Sequence, residues 1–331
     1  MIRQRFLGLP HAFDHPVTLW ITVGVAGLLV LAGTAIGLLS LAGILSGPLR
    51  QEIVRRYLSW LVITPIVIVP VLLGAAWTIG GVALLSVSCY REFSRSTGLF
   101  REKTTCMVVV LGILLLSFAS LDHWYGFFVA LTSLVTGAIA ATAILPDRPK
   151  GYIQRVGLGV FGFMLFGVAL GHLGYMANDA HYQPIVLMLL LGVQLNDVFA
   201  FIVGRTLGRR KLAPQTSPNK TVAGSVGALM LTTPLVAFLG HHIFRGTELD
   251  CPVLLILLGA LTSLTGQLGD LMLSSIKRDL GLKDMGTVIS GHGGILDRCN
   301  SVLLAAPAIF HFVGYYVGFG LDQPTRILTG P

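Results

Sequence analysis

Ten apolar stretches divide this sequence, and nine of them run for eighteen residues or longer. They cover 17–45, 58–77, 79–90, 104–121, 124–145, 156–175, 184–204, 222–239, 252–275 and 302–321. About 20 apolar residues in a helix cross the hydrocarbon core of a bilayer, where only intrahelical hydrogen bonds satisfy the backbone. The expected fold is therefore all-α, a polytopic membrane bundle of about ten transmembrane helices. The stretch 79–90 is short, but 58–90 is too long for one crossing, and Gly80-Gly81 marks the expected break. Charged residues make up only 11% of the 331, against about 25% in soluble domains. That leaves too little polar surface for a soluble enzyme and too little charge for a disordered chain. Sixteen mixed residues precede the first apolar run, so no cleaved signal peptide is expected.

The distribution of charge orients the bundle. Nineteen of the 23 Lys and Arg residues fall in five alternate loops, 47–57, 91–103, 146–155, 205–221 and 276–301. Those loops are expected on the cytoplasmic side, with both termini outside. The net charge of +8 then reflects loops facing an anionic leaflet rather than nucleic acid. Cys89, Cys106, Cys251 and Cys299 form no CxxC pair and are read as small apolar side chains.

Two segments break the apolar pattern. In the first, Asp197 lies inside an apolar run, on one helix face with Phe201 and Gly204. A carboxylate at that depth must face the bundle interior or a polar cavity. Beyond it come Arg205, Arg209, Arg210, Lys211, and then Ser217-Pro218-Asn219-Lys220-Thr221 before a new helix. A turn with hydroxyls, a cation and a helix N-terminus suits an oxyanion.

In the second, Gln267, Asp270, Ser274 and Lys277 form one polar helix stripe. Arg278, Lys283 and Asp284 follow, then the Gly-rich run Gly291-His292-Gly293-Gly294, then Asp297 and Arg298 near the start of the last helix. Such glycines permit positive φ and an anion-binding nest, and the helix dipole would favour an anion there. Asp270 and Asp297 approach from opposite ends of one loop and are expected to share a pocket. Carboxylates among so many cations make sense around a divalent metal such as Mg²⁺ that bridges phosphates.

This second segment resembles the C-terminal signature of the phosphatidate cytidylyltransferase family, S-x-x-K-R-x4-K-D-x-G-x3-P-G-H-G-G-x-x-D-R-x-D. Ser274, Lys277, Arg278, Lys283, Asp284, Gly286, Gly291, His292, Gly293, Gly294, Asp297 and Arg298 match it in order and spacing. The first segment is similar to the family's KLAPxxSPxKTxxG loop, through Lys211, Pro214, Ser217, Pro218, Lys220, Thr221 and Gly224. The likeness runs from about Leu58 to the C-terminus. Residues 1–57 are then an additional helix and loop ahead of a nine-helix core at 58–331. The chain departs from the pattern at Ala223 and Leu273, where the family has Glu, at Ser290, where it has Pro, and at Asn300, where it has Asp.

The resemblance implies a bacterial inner-membrane enzyme making CDP-diacylglycerol and diphosphate from CTP and phosphatidate. It implies Mg²⁺ on Asp270 and Asp297, with Asp197 completing the polar shell. It implies phosphate contacts from Lys220, Lys277, Arg278, Lys283 and Arg298, and a contact from His292 to phosphate or nucleotide. Ser217, Gly291, Gly293 and Gly294 would line the nucleotide site, and a homodimer is compatible with the family. The departures leave open another lipid phosphate as substrate, or a paralogue of reduced activity. A transporter is a third reading, disfavoured because the carboxylates cluster at one end of the spans.

Overall fold

The computed structural model describes residue 6 and residues 8–286, 293–319 and 326–330. Among them are ten long helices: α1 Pro16–Leu41, α2 Gly47–Leu73, α3 Ala75–Ser96, α4 Lys103–Leu121, α5 Tyr125–Thr142, α6 Tyr152–Asn178, α7 Tyr182–Leu207, α8 Val222–Ile243, α9 Pro252–Asp279 and α10 Leu296–Val317. Nine are long and apolar enough to cross a bilayer, and the exception is α3. The chain is an integral membrane protein with the expected all-α fold. Among the described residues one small sheet pairs β1 Lys211–Ala213 antiparallel to β2 Ser217–Thr221, where the sequence suggested only a turn.

Several boundaries differ from expectation. α2 already begins at Gly47, so 47–57 is helix rather than loop, and α10 begins at Leu296 rather than at 302. The second helix breaks at Gly74 rather than at Gly80-Gly81. Gly74 has φ 139° and ψ 169°, a conformation open to little but glycine. The hydroxyl of Thr78 donates to the carbonyls of both Pro70 and Gly74, each at 3.1 Å, satisfying backbone groups that the break releases. The polar run after Tyr90 also stays helical, carrying α3 through Glu92 to Ser96.

The tightest packing joins α7 to α8, α8 to α9, and α9 to α10. Glycines permit it. A Cβ on Gly259 would lie 2.5 Å from the Thr233 carbonyl, and one on Gly269 would lie 2.5 Å from the Asn300 carbonyl. α9 is thus pressed backbone to backbone between α8 and α10. At the end where α7 and α9 finish and α10 begins, the β-hairpin closes over the helices: Arg278 Nε donates to the Thr216 carbonyl at 3.3 Å. By contrast α1 is mostly exposed, with Val17, Thr18 and Ile21 as its buried residues.

Candidate active site

The deepest polar layer ties three helices together. Asn196, fully buried on α7, accepts hydrogen bonds from Thr232 of α8 at 3.1 Å and Ser263 of α9 at 2.6 Å. Gln267, one turn beyond Ser263, accepts from the Ser225 hydroxyl and donates to Ser263 Oγ at 3.1 Å. A buried polar group left without a partner is costly, so these contacts fix the helix register directly below the site.

The next layer holds the carboxylates. Asp197 accepts from Ser301 Oγ of α10 at 2.9 Å. Asp270 pairs with Lys220 and accepts from Asn300 Nδ2. Lys277 Nζ lies 2.9 Å from Asp297 Oδ1, while the other oxygen of Asp297 accepts from the amides of Met285 and Gly294, each at 2.9 Å. Gly293 has φ 80°, and a Cβ there would fall 2.8 Å from Asp297 Oδ2. Gly293 and Gly294 therefore fold around a carboxylate of their own chain.

Two cavities meet at Asp197 and Asp270. The smaller, about 280 Å³, is walled entirely by polar side chains, among them Lys277, Asp284, Asp297, Arg298 and Asn300. The larger, about 450 Å³, combines Lys220, Arg205 and Gln267 with the apolar surfaces of Ala200, Phe201 and Leu212. Asp270 and Asp297 do share a pocket, as their sequence positions suggested.

The other candidate residues divide. Lys220, Lys277, Arg298 and Asp197 line the cavities. Arg278 instead holds the β-hairpin, and Lys283 and Ser217 line neither cavity. Gly291, His292 and Ser290 lie outside the described residues. Sequence reasoning did not single out Glu92, whose two carboxylate oxygens accept from the amides of Ile295 and Leu296. Nor did it single out Ser301. Of the departures, Asn300 supplies Asp270 with an N–H donor that a carboxylate could not provide, Leu273 is buried in the core, and Ala223 sits in the first turn of α8.

Among the described residues, no three His, Cys, Asp or Glu side chains form a ready cage. Asp197 and Asp270 nevertheless offer hard oxygen donors on a shared wall. That fits Mg²⁺, which is commonly held by one or two carboxylates together with waters and substrate phosphates.

The sequence profile of the cytidylyltransferase family matches residues 54–316. The chain belongs to that family. Cytidylyltransferases are nucleotidyl-transferring enzymes, and this one is embedded in a membrane. Among its relatives is the uncharacterized protein YnbB of Escherichia coli, 29% identical over 74% of this chain and 82% of that protein. The phosphatidate cytidylyltransferase of Bacillus subtilis is 30% identical over 62% of this chain and 78% of its own length. That of Staphylococcus saprophyticus is 41% identical over 44% of this chain and 56% of its own. The family match covers every described cavity residue and begins after the whole of α1.

Proposed function

We propose that this cytidylyltransferase transfers the cytidylyl group of CTP to a lipid phosphate, phosphatidate, giving CDP-diacylglycerol and diphosphate. The observation that carries the reading is the junction of two cavities at Asp197 and Asp270: one wholly charged and polar, one with an apolar wall. The first suits phosphates, and the second suits the carbon-bearing part of a substrate. Both lie at the basic end of the bundle, which we take to face the cytosol, where CTP is found.

In the reaction a phosphate oxygen of the lipid bonds to the α-phosphorus of CTP, and the bond from that phosphorus to the β-phosphate oxygen breaks. The lipid phosphate is already an oxyanion at neutral pH, so no strong general base is required. The barrier is repulsion between two anions, and the chain lowers it by placement and opposite charge. Lys220, Lys277 and Arg298 neutralise phosphate oxygens. Lys220 and Lys277 rest on Asp270 and Asp297, which hold them in the cavity. Asp197 and Asp270 would hold Mg²⁺, which would supply positive charge against the phosphate oxygens, while Asp297 holds Lys277 rather than the metal.

The test is transfer of label from radioactive CTP into chloroform-soluble lipid by purified protein with phosphatidate and Mg²⁺. Label should appear, and D270N and D297N should each lower it by about 100-fold or more. Label appearing only with a different lipid phosphate would replace the acceptor. With no acceptor labelled, and a working relative as control, the reading fails.

A further inference from the structure

The start of α10, which carries Asp297, is held from a helix outside the two cavities. Glu92 lies near the end of α3 and is 8% exposed. Its Oε1 accepts from the Ile295 amide at 3.0 Å, and its Oε2 from the Leu296 amide at 2.9 Å. One turn further along α3, the hydroxyl of Ser96 donates to the Met285 carbonyl at 3.0 Å. Helix α3 thus grips the 285–296 segment at both ends. Two glycines lie against the Glu92 carboxylate. A Cβ on Gly286 would stand 2.7 Å from Oε1, and one on Gly294 would overlap the carboxylate.

These contacts change what the start of α10 does. The first amides of a helix lack intrahelical partners and carry its positive dipole end. The sequence suggested that a bound anion would meet them. Instead Asp297 takes the amide of Gly294, and Glu92 takes those of Ile295 and Leu296. Protein carboxylates fill the anion position. Substrate phosphate is then left to Lys220, Lys277 and Arg298, of which Arg298 stands on this turn and Lys277 is paired with its Asp297.

We infer that Glu92 is a positioning residue: it locks the first turn of α10 so that Asp297 and Arg298 stand in the polar cavity, and Gly286 and Gly294 are small to admit its carboxylate. The consequence for turnover rests on the transfer reaction proposed above. A plain structural cap would behave differently. Its loss would lower the folded fraction and leave the turnover of each folded molecule unchanged.

The experiment compares wild type, E92A, E92Q and G294A in one detergent. It measures CTP transfer per folded molecule and amide exchange across 293–298. E92A should lose at least tenfold in turnover per folded molecule. E92Q keeps one acceptor oxygen and should fall between E92A and wild type. G294A crowds the carboxylate without removing it and should follow E92A. Exchange at 293–298 should accelerate in all three variants while α3 keeps its protection. Turnover of folded E92A within twofold of wild type would overturn the inference. Should E92A fail to fold, E92Q decides by the same twofold limit. Should wild type itself transfer nothing, the reaction reading falls, and amide exchange alone judges the lock: unchanged protection at 293–298 in E92Q would refute it.

Discussion

Asp297 and Asp270 are both paired with lysines, but their surroundings set different costs for losing the partner. The Lys277 and Asp297 side chains are 15% and 6% exposed, whereas those of Lys220 and Asp270 are 21% and 20% exposed. Water compensates a broken pair better where it can reach it. Lys277→Met should therefore destabilise the protein by about 2 kcal/mol, the scale of a charge-assisted hydrogen bond. Lys220→Met should cost about 1 kcal/mol or less. Thermal unfolding of both variants in one detergent checks the order, and equal midpoints would contradict it. The sequence exposes these four residues because helical spacing gathers Asp270 and Lys277 on one stripe and the loop leads directly to Asp297. It does not expose Glu92. A glutamate between Arg91 and Arg95 looks like any loop charge, and only the tertiary fold sets it on the start of α10. Asn300 and Ser301 are hidden in the same way, since they act on carboxylates carried by other helices.

Helices meet at the site only as closely as their backbones allow, and α9 provides the closest approach. Gly269 lets the Asn300 carbonyl come near enough for Asn300 to reach Asp270 and for Ser301 to reach Asp197. Gly259 does the same against Thr233, away from the cavities. Replacing either by Val overpacks an interface that has no room, at about 1–3 kcal/mol. Both variants should therefore unfold at lower temperature. Only Gly269→Val should also cut transfer per folded molecule, by about tenfold on the scale of displaced reacting groups. Equal loss of transfer in the two variants would mean that the spacing of α9 and α10 at Asn300 has no special part in activity. The elements themselves are largely legible, because run length and polar interruptions locate ten helices. The break between α2 and α3 is not. Pro65, Pro70, Gly74, Gly80 and Gly81 all offer weak points, and the hydroxyl of Thr78 on two carbonyls favours Gly74. The β-hairpin escapes notice because 211–221 has no alternating apolar pattern, and it is held through its turn by Arg278.

Across the whole molecule the two ends of the bundle do different work. The basic end gathers catalytic candidates from α7, α9, α10 and the β-hairpin, with α3 positioning the start of α10, and the far end binds the chain together. There the segment 326–330 lies on the turn between α4 and α5. Asp122 is fully buried and accepts from the amides of Leu328 and Thr329 and from the Thr329 hydroxyl, while the Arg326 guanidinium lies 4.9 Å from the Trp124 ring centre. Burial pushes the Asp122 carboxyl up, but these donors together outweigh it and hold the group below its ordinary 3.8. A carboxyl depressed on folding stabilises the protein above its unfolded pKa and loses that contribution as pH falls through the folded value. The attachment of 326–330 should therefore be intact at neutral pH and weaken below about pH 4. Thermal midpoints measured between about pH 3 and pH 6 should fall toward acid in wild type. In Asp122→Asn, which removes the titrating group, they should begin lower and fall less. Parallel curves for the two proteins would assign the acid sensitivity to other carboxylates. A loss of CTP transfer at pH 7 in Asp122→Asn matching that of D297N would show instead that the far end governs the site.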